Sequence, residues 1–156
     1  MWTFGDGEFG KLGLGHAISK PVPQLVESMC NIGLKKVACG TYITVFLTKD
    51  GKVYVSGLER FPWSIPQERS TNKPQQLTVD KYIIEDIAVG TEHVLMLSKC
   101  GKVFGWGKNS DEQLGSAHAN IIKVPELIKQ LIGKGDISGF VHFALFLTCF
   151  PLFHQT

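Results

Sequence analysis

Gly5-Asp6-Gly7-Glu8-Phe9-Gly10-Lys11 meets the G-x-G-x-x-G pattern of dinucleotide sites and all but the last position of G-x-x-x-x-G-K-[ST], the phosphate cradle. Both patterns need a following helix, whose first amides and dipole hold the phosphate, and the second needs a hydroxyl for Mg²⁺. Here Leu12 stands in place of the hydroxyl, Gly13 and Gly15 disfavour helix, and Pro21 and Pro23 follow. The segment therefore reads as a structural loop, and no cofactor is expected.

Histidines and cysteines are the other chemistry-bearing residues. His16, His93, His118 and His142 are separated by long stretches, unlike the short-range ligand pairs of zinc sites, and no metal is expected. No nucleophile is placed beside them and G-x-S-x-G is absent, so His93 is expected to be a buried or loop-anchoring residue bonded to backbone near Gly90. No catalytic residue is assigned. Cys30, Cys39, Cys100 and Cys149 include no C-x-x-C pair and are expected to be reduced thiols packed as small hydrophobes. Asp80, Glu85 and Asp86 form a small acidic cluster, expected on a solvated face.

The elements that position these residues follow from composition and from self-similarity. A chain of 156 residues fits one domain at roughly 100 to 200 residues each. Sixteen basic against fourteen acidic residues is too even a balance for a direct nucleic-acid binder. The first residues lack a basic and then apolar leader, which predicts an intracellular, reducing compartment. Phe140 to Phe153 is too short, and too interrupted by His142 and Pro151, to predict a membrane span.

Val37-Ala-Cys-Gly40-Thr-Tyr-Ile-Thr-Val-Phe-Leu-Thr48-Lys-Asp-Gly51 recurs 50 residues later as Ile87-Ala-Val-Gly90-Thr-Glu-His-Val-Leu-Met-Leu-Ser98-Lys-Cys-Gly101. Gly5 to His16 aligns with Gly107 to His118 at a shift of 102, and Pro23, Pro74 and Pro125 keep a 51-residue beat. Ile43, Val45 and Leu47 alternate with Thr44, Phe46 and Thr48, the period of a half-buried or buried strand. Asp50-Gly51 and Cys100-Gly101 predict hairpin turns, and Gly40 and Gly90 mark backbone positions that a Cβ would strain. Such units cannot cover both faces alone, so they must stack, and the radial arrangement of stacked antiparallel units is a β-propeller.

The string Trp2-Thr-Phe-Gly-Asp-Gly-Glu-Phe-Gly-Lys-Leu-Gly-Leu-Gly15, with Ala38-Cys-Gly40, Ala88-Val-Gly90-x-x-His93 and the 51-residue beat, resembles the regulator-of-chromosome-condensation repeat. Within that family, Leu34 to Thr41, Leu47 to Gly51, Lys73 to Gln76 and Ile83 to His93 are most similar to a propeller of the large HERC-type ubiquitin ligases. The resemblance implies an all-β, seven-bladed ring, of which this chain carries about three units over residues 1–148, with a divergent tail over 149–156. It also implies a cytoplasmic protein-interaction module that recruits partners or ubiquitination substrates. Ligase activity would belong to a separate catalytic domain of a longer parent. An alternative implied by the founding member is guanine-nucleotide exchange on a small GTPase.

Two departures from the pattern matter. Leu58 to Pro66 replaces the glycine-rich loop of the first unit, and the rebuilt segment offers Arg60, Phe61, Trp63 and Arg69, residue types favoured at interface hot spots, as partner contacts. After Thr148 the expected turn gives way to Cys149-Phe-Pro-Leu-Phe-His-Gln-Thr156, which suits a fragment or splice product. An open arc would leave strand edges available for self-association.

Overall fold

The computed structural model describes residues 1–57, 72–115 and 119–133. Among them are ten strands in three antiparallel sheets, each strand paired with its neighbour in sequence. β1 (Trp2–Gly5) and β2 (Lys20–Leu25) form the first sheet. β3 (Leu34–Cys39), β4 (Ile43–Thr48), β5 (Val53–Gly57) and β6 (Gln75–Leu77) form the second. β7 (Ile84–Val89), β8 (His93–Ser98), β9 (Val103–Lys108) and β10 (Ile121–Leu127) form the third. The helical elements among these residues are 3-10 turns at Glu8–Gly10, Glu27–Met29 and Lys129–Leu131.

The predicted hairpins form where the glycines place them. β4 runs against β5 with Ile43 opposite Gly57 and Leu47 opposite Val53. Gly51 turns the chain at φ +81°, a left-handed conformation open to glycine without strain. The Thr48 hydroxyl donates to Lys52 O at 3.0 Å and accepts from Lys52 N–H at 2.9 Å, closing the turn. Ser98 repeats both bonds to Lys102, at 2.9 Å each, with Gly101 at φ +76°. A hydroxyl three residues ahead of each glycine is thus a working part of the turn.

Packing follows the period of two, and β4 proves to be buried along its whole length. Ile43, Val45 and Leu47, joined by Val53 and Val55, meet Val94, Met96, Phe104 and Trp106 of the third sheet in the main core. Phe46 points the other way, to Val26 and Met29 below the first sheet. One repeat later the same parity sends Leu95 and Leu97 into a further cluster with Val103, Leu114, Ile122 and Ile128. β4 and β8 are therefore covered on both faces, while Val37 and Cys39 leave one face of β3 exposed. Trp106 is 1% exposed, and truncating such a side chain to alanine costs about 3–5 kcal/mol.

The inner strands converge at the two glycines that the repeat singles out. A Cβ on Gly40 would lie 2.5 Å from Gly90 O, and one on Gly90 would lie 2.2 Å from His93 Cε1. Their constraint is close approach rather than positive φ. Gly40 N–H donates to Ile43 O at 2.7 Å and Gly90 N–H to His93 O at 2.8 Å, so both turns are backbone-closed.

Candidate protein-interaction surface

One end of the sheets gathers the β1–β2 loop, the β3–β4 and β7–β8 turns and the β9–β10 loop. The two long loops are copies of one design. Gly5 at φ +100° ends β1 and Gly107 at φ +108° stands one residue before the end of β9, and Gly13 and Gly115 turn at +72° and +63°. Between them Leu12 and Leu114 are buried pegs that pin each loop to its blade. Where the first loop has Gly10 at φ +75°, the second has Glu112 at φ +57°, a left-handed conformation that a side chain tolerates less well.

Local hydrogen bonds fix the pegs. Thr3 Oγ1 donates to Leu12 O at 3.0 Å, and Ser56 Oγ of the neighbouring blade donates to Lys11 O at 3.2 Å. In the second loop, buried Asn109 accepts from Leu114 N–H at 2.8 Å through Oδ1 and donates to Ala119 O at 2.9 Å through Nδ2. Asn109 escapes a reading of repeated positions because Gly7 stands at its place in the other copy.

Above these anchors lie aromatic and charged side chains. Lys11 Nζ pairs with Asp6 and donates to Thr41 O at 3.2 Å, so the glycine-rich loop turns its lysine to the adjacent blade's turn. The carboxyl of Asp6 is held below its ordinary value, first by the Lys11 hydrogen bond. The Phe9 ring meets Tyr42 edge-on at 5.1 Å. Lys108 Nζ lies 2.7 Å from Glu92, which raises the lysine above its ordinary value. Instead of a phosphate-binding helix, the segment forms a three-residue 3-10 turn with Phe9 at φ +61°.

The candidate contacts Arg60, Phe61, Trp63 and Arg69 fall within residues 58–71, outside the described residues. Both flanks of that segment reach this surface. A Cβ on Gly57 would lie 2.2 Å from Tyr42 O, and Asn72 O accepts from Gly15 N–H at 2.8 Å. His118, His142, Cys149 and the tail 149–156 also lie outside the described residues.

The structure separates the other chemistry-bearing side chains. His93 is 6% exposed with its ring against Gly90, and burial pushes its pKa down. Its anchoring thus comes from packing on the glycine, while His16 Nδ1 accepts from Ile18 N–H at 3.2 Å near the surface. Among the described residues no three His, Cys, Asp or Glu side chains group as metal ligands. Cys30, Cys39 and Cys100 are free and exposed, which corrects the expectation of packed thiols. Cys39 sits on the uncovered face of β3 and Cys100 at the tip of a turn, where Ser98 holds its thiol below the ordinary value. The acidic cluster is not wholly solvated either, since Asp86 pairs with Lys36 at 2.7 Å. At the opposite end a hollow of about 300 Å³ is lined by Asn31, Ile32, Lys49 and Asp50 among others.

The "Regulator of chromosome condensation (RCC1) repeat" matches residues 1–47 and 100–145, and a second form of the same repeat matches 34–61 and 84–113. The chain belongs to the RCC1 repeat family. It is 36% identical over 138 residues to the human E3 ubiquitin-protein ligase HERC2, a match covering 86% of this chain and 3% of HERC2. It is 30% identical over 139 residues to the human X-linked retinitis pigmentosa GTPase regulator, covering 86% of this chain and 13% of that protein. Yeast RCC1 (Prp20), solved bound to Kap60, superposes with a TM-score of 0.64 at 20% identity, covering 82% of this chain and 32% of that one. The fold is thus part of an RCC1-type propeller. Among the described residues no helix is long and apolar enough to cross a membrane.

Proposed function

We propose that this chain is a cytoplasmic protein-interaction module that recruits a protein partner, in a HERC-like setting a ubiquitination substrate. One observation carries the reading: buried Leu12 and Leu114 pin two copies of one loop, presenting a pre-set surface of Phe9, Tyr42, Lys11, Glu92 and Lys108. A surface held in place before binding loses little conformational freedom on association. Arg60, Phe61, Trp63 and Arg69 are the candidate contacts that the segment between Gly57 and Asn72 adds to it. Ligase activity would belong to a longer parent, as HERC2 is longer than this chain.

A second reading, nucleotide exchange on a small GTPase, draws on similarity to a protein named as a GTPase regulator. One pair of experiments separates them. Immobilised chain should retain specific proteins that Lys11→Glu with Tyr42→Ala, or Arg60→Ala with Trp63→Ala, no longer retains. Release of a fluorescent guanine nucleotide from small GTPases should stay at its spontaneous rate; acceleration would favour exchange, and retention unaffected by both variant pairs would sink recruitment through this surface.

A further inference from the structure

The hollow at the end opposite the loop surface has a filled counterpart one repeat away. Ile32, Lys52 and Tyr54 line it. At the shift of 50 their places are taken by Tyr82, Lys102 and Phe104. There the Tyr82 ring packs on Phe104 with centroids 4.9 Å apart, and its hydroxyl accepts from Lys102 Nζ at 2.8 Å. In the first copy Ile32 brings neither ring nor hydroxyl. Lys52 pairs instead with Asp50 at 2.9 Å, a position that Cys100 holds in the third sheet.

The side chain at position 32 sets the difference. Asn31, Ile32 and Gly33 run exposed, half-buried, exposed. Lys81, Tyr82 and Ile83 do the same although a complete sheet stands before them, its hairpin bonded through Gly51 O to Ile84 N–H at 3.0 Å. A preceding blade therefore leaves these three positions unchanged, and what differs is the cover on the residues they face. Lys102 is half-buried and Phe104 is 3% exposed beside Tyr82, whereas Lys52 is exposed and Tyr54 half-buried. A volume of about 300 Å³ stands at the lower end of the range for ligand sites, which suits one side chain rather than a large cofactor.

We propose that this hollow is a docking slot for a tyrosine side chain of a partner protein, which enters as Tyr82 does in the next blade. The incoming ring lies on Tyr54 beside Ile32, and its hydroxyl accepts from Lys52 Nζ, which leaves Asp50 to do so. A phenol suits such a place because its body buries apolar area while its polar tip needs a partner at the rim. The occupant is read from the molecule's own second copy of the site, where a protein tyrosine already makes both contacts. The slot lies at the other end of the sheets from Phe9 and Lys11, so its outcome is independent of what the loop surface recruits.

The test is a titration of the isotope-labelled full chain with N-acetyltyrosinamide, followed by amide NMR. Saturable shifts are expected at Ile32, Gly33, Lys49 and Lys52, and none at Phe9 or Lys11. N-acetylleucinamide should bind at least tenfold more weakly, since it offers no ring to Tyr54 and no hydroxyl to Lys52. Ile32→Tyr gives the first copy the occupant of the second and should weaken binding at least tenfold, with Ile32→Phe replacing it if the thermal melt is not cooperative. Lys52→Met should bring N-acetyltyrosinamide down to the affinity of N-acetylphenylalaninamide and leave the latter unchanged. No shifts at the slot, equal affinity for the leucine probe, or an Ile32 variant that binds like wild type would each overturn the proposal. A Lys52→Met chain that still prefers the phenol would overturn it too, because the hydroxyl contact is what selects tyrosine.

Discussion

Lys36 and Asp86 occupy the same position in successive repeats, and the ammonium of the first lies 2.7 Å from the carboxylate of the second across the blade interface. Beside them Lys35 Nζ donates to Glu85 O at 2.6 Å, again 50 residues away. Because the repeat makes every blade face its neighbour's counterpart, one basic and one acidic copy of a position suffice to make a bridge.

That bridge is partly solvated, with side-chain exposures of 31% and 23%, so it belongs with pairs worth about 0.2–1 kcal/mol. Lys36→Ala should lower unfolding stability by no more than about 1 kcal/mol, and less in high salt. Asp86→Ala should cost more, because Asp86 Oδ1 also accepts from Ile87 N–H at 2.8 Å. A double-mutant cycle in urea isolates the pair, and a coupling indistinguishable from zero would remove it from the interface energetics.

Gly40→Ala tests the convergence of the inner strands. The new methyl would meet a backbone carbonyl, Gly90 O, at 2.5 Å, and a carbonyl in a closed turn has little room to yield. A loss of about 1–3 kcal/mol is expected from overpacking. Gly101→Ala is the control, since nothing lies within 4 Å there and only φ +76° opposes the side chain, at about 1–2 kcal/mol. The two substitutions should also differ in kind. Gly40→Ala should disturb the Gly90–His93 turn by NMR, while shifts around Gly101→Ala stay within its own turn.

The hairpins were legible because a turn is local: Asp50-Gly51 and Cys100-Gly101 carry the whole signal within four residues. The strand faces were legible too, since period two with a 50-residue shift already assigns Val45 and Phe46 to opposite sides. Relations between blades were not. Whether Asp86 is solvated depends on a lysine 50 residues away, and whether Cys39 is buried depends on what covers β3. Burial habit describes an average cysteine, and Cys39 and Cys100 sit where no neighbour supplies that average. The loop surface was half visible: its glycines and leucine pegs repeat in sequence, but the Phe9–Tyr42 and Lys11–Thr41 contacts join units and leave no local pattern.

His93 gives the fold a pH dependence of definite sign. Burial lowers its pKa below the ordinary 6.5, so below that pH the unfolded chain takes up a proton that the folded chain refuses. Stability at this site is therefore complete above about pH 7 and falls as the pH drops through 6.5 toward the depressed folded value. The carboxyls of Asp6 and Asp50, also depressed, add their losses only near and below the carboxylate range. Urea melts at pH 7.5 and 5.5 should show the loss in wild type and a smaller one in His93→Gln. Equal losses in both chains would assign the dependence elsewhere.

Asn109 is the buried polar group on which the second loop turns. Its backbone N–H donates to Asn120 O at 2.7 Å while its amide side chain serves Leu114 N–H and Ala119 O, so one residue ties both arms of the loop to the end of β9. Asn109→Ala would leave the Leu114 amide and the Ala119 carbonyl unsatisfied, at about 1–3 kcal/mol if both stay buried. The cheaper response is for the loop to open to water, which lifts the Leu114 peg. Hydrogen exchange should then accelerate at Leu114 and Gly115 while β8 keeps its protection. Asn109→Asp keeps the acceptor for Leu114 N–H and loses the donor to Ala119 O, so it should loosen the Ala119 arm alone. If β8 loses protection along with the loop, the loop is part of the blade's cooperative unit, and the interaction surface shares the stability of the core that holds it.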